Sequence, residues 1–209
     1  MIILHIDCSP RPESFSRQLS WDLVKKLVER WPGATIVRRD LGSNPLPHAL
    51  PEYATTLSSP TTLAAPISGS LELSETLIGE VESADAIVIG TPMHNLTVPS
   101  VFKAWIDQIL RANRTFKSTP AGKVGLLSDR PVFVGIASGG TFFGDHANQP
   151  DFLTTYLTVV LGMIGLRTIQ FLPIQATAFL DQEKAVAARE KALATLDLTV
   201  MGEVPCSAE

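Results

Sequence analysis

Hydroxyl side chains cluster directly after the first apolar stretch of the chain. Ser9, Ser14 and Ser16 follow residues 2–7, which have the pattern of a buried strand, and a helical pattern begins at about residue 16. This arrangement suits a phosphomonoester, because hydroxyl groups and the free N–H groups of a helix amino terminus bind phosphate oxygens. The loop lacks glycine and a Gly-Lys-Ser/Thr motif, so it differs from a P-loop. The alternative is that Ser14 or Ser16 merely caps the helix.

Two further strand patterns end in short turns. The apolar run 86–89 leads into Thr91-Pro92-Met93-His94-Asn95-Leu96, and we expect Thr91 to be the last ladder residue because Pro92 has no N–H to donate. The run 131–137 ends in Ser138-Gly139-Gly140. Paired glycines allow the backbone to approach a flat ligand closely, although a plain turn favours glycines for the same reason.

Strand and helix patterns alternate along the chain. This alternation predicts an α/β fold with a doubly wound, five-stranded parallel sheet of order 2-1-3-4-5, the second strand lying at an edge. Strands 1, 3 and 4 are adjacent in that order, so their loops should meet at one rim. The strands are predicted at 2–7, 34–40, 86–91, 131–137 and 167–174, and the helices at 16–31, 68–83, 99–112, 152–165 and 181–198.

Length and composition indicate one globular domain over residues 1–209. A Pro-, Ser- and Thr-rich excursion at about 42–67 has no clear periodicity, and such long segments are usually functional or mobile. We expect it to cover the ligand edge or to contact a second subunit. Residues 114–122 are expected to be a loop.

The net charge and the positions of the cysteines and histidines limit the kinds of partner and ligand that the protein can bind. A net charge of -4 without basic clusters argues against nucleic acid. The amino terminus lacks a basic leader and no apolar run approaches about 18 residues, so we expect a cytoplasmic protein without membrane contact. Cys8 and Cys206, and the histidines at 5, 48, 94 and 146, show neither disulfide nor metal spacing. Cys8 is either a small buried residue or a reactive thiol.

A ligand with a phosphate at one end and a planar, hydrogen-bonding ring at the other would contact all three predicted loops. FMN has this shape. The sequence therefore predicts an FMN site in which the serines bind the phosphate and the two other loops bind the ring.

The same residues resemble a known family. Ser9 with Ser14-Phe15-Ser16, the Pro-Met-His-Asn-Leu segment, the Ser-Gly-Gly turn, and Tyr156-Leu157 with Leu161-Gly162-Met163-Ile164-Gly165 resemble the FMN-dependent NADH azoreductases, also called NADH:quinone oxidoreductases, of the flavodoxin-like superfamily. The resemblance covers nearly the whole chain. It implies FMN contacts at Ser9, Ser14, Phe15, Ser16, Met93, His94, Asn95, Leu96, Ala137, Ser138, Gly139 and Gly140.

The resemblance also implies an activity. NADH or NADPH reduces FMN, and the flavin then reduces a quinone or an azo bond in a ping-pong reaction at the interface of a homodimer. Phe116 and Met163 stand where the family has substrate-pocket residues. His94, Leu96 and Ser138 stand where tyrosine, phenylalanine and arginine are common, which puts the substrate preference more in doubt than the cofactor.

Several alternatives remain at this point. His94 is a candidate proton donor near neutral pH, or it only packs against the ring. Rival functions are a flavodoxin-like electron carrier, another FMN or chromate-type reductase, and a nucleotide-binding regulatory protein without redox chemistry. Carriers of this kind tend to be strongly acidic, whereas this chain carries only -4.

Overall fold

The computed structural model describes residues 1–202, so Cys206 lies outside the described residues. Five parallel strands form one sheet in the order β2-β1-β3-β6-β7, which confirms the predicted order 2-1-3-4-5. Strands β4 and β5 form a separate antiparallel hairpin. The strands are β1 (Ile2–Asp7), β2 (Thr35–Asp40), β3 (Ala86–Pro92), β4 (Phe116–Thr119), β5 (Gly122–Gly125), β6 (Val132–Ala137) and β7 (Ile169–Ile174).

Helices cover both faces of the sheet. On one face, α1 and α7 pack against Ile3, Val88 and Phe133, while the other face buries Leu4 and Ile6 under α4, α5 and α6. The central strands are apolar on both sides for this reason. The helices are α1 (Phe15–Arg30), α2 (Pro51–Leu57), α3 (Pro60–Ala64), α4 (Glu72–Ser83), α5 (Ser100–Ile109), α6 (Thr154–Ile164) and α7 (Gln182–Leu193), with 3₁₀ turns at Thr177–Phe179 and Thr199–Met201.

Strand β3 extends one residue further than predicted. Pro92 pairs with Ala137 of β6, and the Met93 N–H donates to the Ala137 carbonyl at 2.8 Å. Alternate residues of a strand face opposite neighbours, so the nitrogen of Pro92 faces the β1 side. There β1 has already ended at Asp7, and the ladder needs no donor at that position.

Two predicted loops contain regular structure. Residues 116–125 form the β4–β5 hairpin, which overlaps the loop that we expected at 114–122. The excursion at about 42–67 contains the short helices α2 and α3. It lies against α5, since the Tyr53 hydroxyl donates to the Asp107 carbonyl at 3.2 Å. Helices α2 and α3 are too short, and contain too few apolar residues, to show a helical periodicity in the sequence.

Within residues 1–202, none of the helices has the length and apolar character that a membrane span requires.

Candidate functional site

The carboxyl ends of β1, β3 and β6 lie side by side at one edge of the sheet. Asp7 pairs with Gly90, and Pro92 pairs with Ala137. The loops that follow start at neighbouring ladder positions because the strands are parallel. We name them the serine loop (residues 9–16), the Met-His-Asn loop (residues 93–97) and the glycine turn (residues 138–141). The structure thus brings the predicted cofactor segments to one edge.

The serine loop buries its hydroxyl groups at the amino end of α1. Ser9, Ser14 and Ser16 are buried, and the Oγ atoms of Ser14 and Ser16 lie 3.4 Å apart. Ser14 is also the N-cap, because its Oγ accepts a hydrogen bond from the Arg17 N–H. Within residues 1–202, the N–H groups of Phe15 and Ser16 have no acceptor, and the first turn of α1 carries no acidic side chain. These donors suit an anion such as a phosphate group.

Arg17 holds the serine loop from behind. Its Nε donates to the Ser9 carbonyl at 2.8 Å, and its Nη2 donates to Asp40 Oδ1 at 2.5 Å. Gly42 completes the support, since a Cβ at that position would lie 2.0 Å from the Ser9 carbonyl oxygen. The carbonyl of Ser9 is therefore confined between a guanidinium group and the backbone that follows β2.

The two carboxylates near Arg17 remain charged to low pH. Burial raises the pKa of Asp40, but hydrogen bonds from Arg17 and Ser43 outweigh it and hold that pKa below its ordinary value. Burial likewise opposes ionisation of Asp7, while hydrogen bonds from His5, Ser20 and Arg38 lower its pKa overall. The serine loop thus rests on a nearly neutral group of paired charges, which leaves the helix amino terminus as its positive feature.

The Met-His-Asn loop is a tight turn with an unusual backbone. The His94 N–H donates to the Thr97 carbonyl at 3.0 Å, and the Thr97 N–H returns a bond to His94 at 3.1 Å. Asn95 and Leu96 both have positive φ, 49° and 70°, as in a type I′ turn. Asparagine tolerates this conformation, whereas leucine rarely adopts it. Strain of this kind clusters at ligand sites.

Two side chains at the tip of this turn are exposed. His94 and Asn95 are exposed, and within residues 1–202 no group hydrogen-bonds the His94 imidazole. The N–H of Met93 is engaged with Ala137, and that of His94 with Thr97. Of the four N–H groups in residues 93–96, those of Asn95 and Leu96 have no acceptor in the described chain.

The glycine turn follows β6 and contacts the Met-His-Asn loop, which follows β3. The Ser138 hydroxyl donates to Met93 Sδ at 3.7 Å. In residues 1–202, the N–H groups of Gly139 and Gly140 have no acceptor, and a Cβ on Gly139 would have no neighbour closer than 3.9 Å. Two adjacent free donors can bind the carbonyl oxygen or the anionic edge of a ring.

Phe116 and Met163 do not join these loops within one chain. Phe116 begins the β4–β5 hairpin, and Lys123 Nζ lies 4.6 Å from its ring centroid. Met163 is in the last turn of α6, whose Ile164 carbonyl accepts a bond from Leu127 in the segment after the hairpin. Helices α5 and α6, of 10 and 11 residues, run from the loop edge towards the other edge of the sheet. Both residues therefore lie about 15 Å along the helices from the predicted cofactor loops.

Cys8 is a core residue. Its side chain is fully buried, and burial, with Asp7 nearby, raises the pKa of the thiol well above its ordinary value. A buried, protonated thiol is a poor nucleophile, so the reactive-thiol alternative is wrong.

A cavity of about 350 Å³ opens on the outer side of α1 and does not contact the Met-His-Asn loop or the glycine turn. Its charged groups are paired with one another, through Arg17 and Arg38 on Asp7. It is lined by His5, Asp7, Pro12, Arg17, Gln18, Trp21 and Arg38.

Four residues of the site were missed in the sequence. Arg17, in the first turn of α1, carried a signal, because a cation there opposes the helix dipole unless an acid pairs with it. Asp40 carried another, as a charge at the carboxyl end of a parallel strand. Gly42 carried none, and neither did Gln149, whose Nε2 donates to Ser138 Oγ in the glycine turn at 2.9 Å, since the contacts of both depend on the path of the surrounding loops.

Comparisons with known proteins agree with this architecture. Residues 1–198 match a family model described as a flavodoxin-like fold. The FMN-dependent NADH:quinone oxidoreductase 4 of Pseudomonas fluorescens is 50% identical over 181 residues, covering 86% of each chain. The FMN-dependent NADH:quinone oxidoreductase 2 of Cupriavidus pinatubonensis is 44% identical over 178 residues, covering 84% of this chain and 86% of that one.

Solved structures give the same result. The azoreductase of Bacillus anthracis superposes with a TM-score of 0.80 at 25% identity, covering 93% of this chain and 97% of the other. The sequence similarity to the oxidoreductases spans most of both chains, and the shared fold includes the strand ends that form the site. The chain belongs to the flavodoxin-like fold family and, within it, to the FMN-dependent NADH:quinone oxidoreductases.

Proposed function

We propose that this protein is an FMN-dependent NADH:quinone oxidoreductase with azoreductase activity. The observation that carries the proposal is the meeting of three loops of complementary chemistry at one sheet edge. Buried hydroxyls and free helix N–H groups lie at one end, and free turn N–H groups lie at the other. This donor set fits a phosphorylated isoalloxazine better than a compact nucleotide phosphate alone.

In this proposal the serine loop binds the FMN phosphate. The hydroxyl groups of Ser9, Ser14 and Ser16 and the N–H groups of Phe15 and Ser16 donate to its oxygens. The Phe15 ring is half-buried beside them. Because Arg17 is paired with Asp40, its role is to fix the Ser9 carbonyl and so to orient the loop.

The other two loops bind the ring. Asn95 and Leu96 offer free N–H groups beside Met93 and His94, and Gly139 and Gly140 offer theirs beyond Ala137 and Ser138. Bound FMN supplies the hydride-transfer chemistry itself. The free N–H groups of the glycine turn stabilise negative charge at the pyrimidine edge, since fixed donors need no reorganisation when charge develops.

His94 is proposed as the proton donor to the reduced acceptor. Its imidazole is exposed at the turn and has no hydrogen-bond partner in residues 1–202, so it is free to donate to a substrate. Two-electron reduction of a quinone consumes two protons, and an imidazole can supply one near neutral pH.

The proposal includes a homodimer with active sites at the interface. Phe116 and Met163 lie about 15 Å along α5 and α6 from the loops of their own chain. They can line the acceptor pocket only if they come from a second subunit. The proposal also takes the protein to be a single domain acting in the cytoplasm, with NADH as the reductant that the names of its relatives specify.

Three measurements test the proposal. The purified protein should be yellow and release FMN on denaturation, which a regulatory protein without redox chemistry would not do. NADH oxidation should accelerate when benzoquinone or methyl red is added, whereas an electron carrier would show no turnover. Equilibrium sedimentation should give twice the 22.6 kDa chain mass; a monomer with full activity would contradict the interface site.

A further inference from the structure

Gln149 links the two loops that face the ring. Its Nε2 donates to Ser138 Oγ at 2.9 Å and approaches Met93 Sδ at 3.2 Å. Ser138 Oγ in turn donates to the same sulfur at 3.7 Å. One carboxamide therefore contacts a side chain from the end of β3 and another from the end of β6.

Gln149 also lies directly against the glycine turn. A Cβ on Gly140 would be 2.5 Å from Gln149 Oε1, so a larger residue at position 140 would displace the carboxamide from its observed place. No group in residues 1–202 donates to that oxygen. The amide thus has its donors committed to Ser138 and Met93 and its acceptor free beside the turn.

The backbone around Gln149 is held independently. The Asn148 and Gln149 N–H groups donate to the Thr141 carbonyl at 2.8 and 3.2 Å, and Asn148 Oδ1 accepts from the Thr141 N–H at 3.1 Å. Gln175 fixes the other side of the same segment, since its Oε1 accepts from the Phe142 and Phe143 N–H groups at 2.8 Å each. The segment therefore has anchors that do not involve the Gln149 side chain.

We propose that Gln149 is a positioning residue for the flavin ring, acting by fixing Met93 and Ser138 relative to each other. This inference rests on the proposed function. Without the carboxamide, the side chains of Met93 and Ser138 keep only their long mutual contact, and the bond from the Met93 N–H to the Ala137 carbonyl remains to join the bases of the two loops. The free N–H groups of Asn95, Leu96, Gly139 and Gly140 would then lose their fixed spacing, and with it part of their preference for charge on the reduced ring.

The experiment compares Gln149→Met with Gln175→Met. Methionine keeps the length and apolar volume of glutamine but removes its hydrogen bonds. We expect Gln149→Met to weaken FMN binding to the apoprotein about tenfold, measured by quenching of flavin fluorescence. We also expect a more negative midpoint potential of the bound flavin, measured against a reference dye, because the anionic reduced ring loses more stabilisation than the oxidised ring. The thermal midpoint of the apoprotein should remain close to that of the wild type.

Gln175→Met is the matched control, because it loosens the same segment without touching Met93 or Ser138. It should change FMN affinity and potential less than Gln149→Met does. Equal effects in the two variants, or an unchanged potential in Gln149→Met, would overturn the positioning role. Asparagine keeps the carboxamide but has a side chain that is one methylene shorter, so Gln149→Asn should show the same changes as Gln149→Met. The same result in two chemically different variants would argue against a folding defect as its cause. A wild-type protein that fails to bind FMN would instead reject the proposed function itself.

Discussion

The serine loop lies at the same sheet edge as the Met-His-Asn loop and the glycine turn, but it is held in a different way. Behind the serine loop stand paired charges, with Arg17 bonded to Asp40 and to the Ser9 carbonyl. The Met-His-Asn loop and the glycine turn have exposed residues at their tips. They are joined by the bond from the Met93 N–H to the Ala137 carbonyl and by the contacts of Gln149 and Ser138 with the Met93 sulfur. The serine loop is buried and supported by ion pairs, while the other two loops are exposed at their tips and held by contacts between neutral groups.

Under the proposed function, in which the serine loop binds the phosphate and the other two loops bind the ring, this difference matches the two tasks of a flavin site. The phosphate is the same in every redox state, so a rigid anchor serves it throughout the reaction. The ring changes its charge and must meet two substrates in turn, and its surroundings set the potential and the acceptor preference. Changes behind the serine loop should therefore affect stability and affinity together, whereas changes at the ring should affect potential and rate.

The largest effect is expected from Gly42→Ala. The new Cβ would lie 2.0 Å from the Ser9 carbonyl oxygen and 2.9 Å from Arg17 Nη2, and backbone cannot move aside cheaply. We expect a loss of about 3 kcal/mol in the free energy of unfolding, together with weaker FMN binding. Urea denaturation of the apoprotein measures the first quantity.

Gly79→Ala is the control for that substitution. Gly79 lies within α4 and a Cβ there would meet nothing within 4 Å, so alanine should stabilise the helix by about 0.8 kcal/mol. If both substitutions changed stability in the same direction, the steric role of Gly42 would be wrong.

Arg17→Met should have the next largest effect. It removes the more buried of the two guanidinium groups that Asp40 and Asp7 share. Removing one member of a buried pair costs about 3–5 kcal/mol, and partial exposure of Asp40 reduces this to about 2 kcal/mol. The Arg38 guanidinium contacts the same two carboxylates but is 53% exposed, so Arg38→Met should cost less than about 1 kcal/mol. Similar losses in the two variants would argue against the special position of Arg17.

The paired carboxylates also predict an acid-sensitive stability. The pKa values of Asp7 and Asp40 are lowered in the folded protein, so the unfolded chain binds protons more readily. Their stabilisation is complete above the ordinary aspartate pKa near 4 and is lost as the pH falls below it. Urea unfolding at a series of pH values should show this decline, and Asp40→Asn should flatten it. A slope that is unchanged in the variant would assign the acid sensitivity to other groups.

The sequence revealed the fold and the loops that form the edge of the site, but little of what holds those loops. Strand order followed from the alternation of strand and helix patterns, and serines and glycines marked the ligand loops because local backbone geometry demands them. The Arg17–Asp40 pair joins residues 23 positions apart, and Gln149 reaches Met93 across 56. Contacts of that range depend on register and loop path, which a local pattern does not encode. The distance of Phe116 and Met163 from the loops was hidden for the same reason.

The smallest effect is expected from His94→Gln, at the exposed tip of the Met-His-Asn loop. A buried general acid often contributes a hundredfold or more to the rate, but His94 is exposed and water can replace much of its proton donation. We therefore expect quinone reduction by the pre-reduced enzyme to slow by less than about tenfold. FMN affinity and the urea midpoint should not change, in contrast to the variants behind the serine loop. Stopped-flow oxidation of the flavin across pH measures the rate; a pH profile identical to that of the wild type would mean that His94 only packs beside the ring.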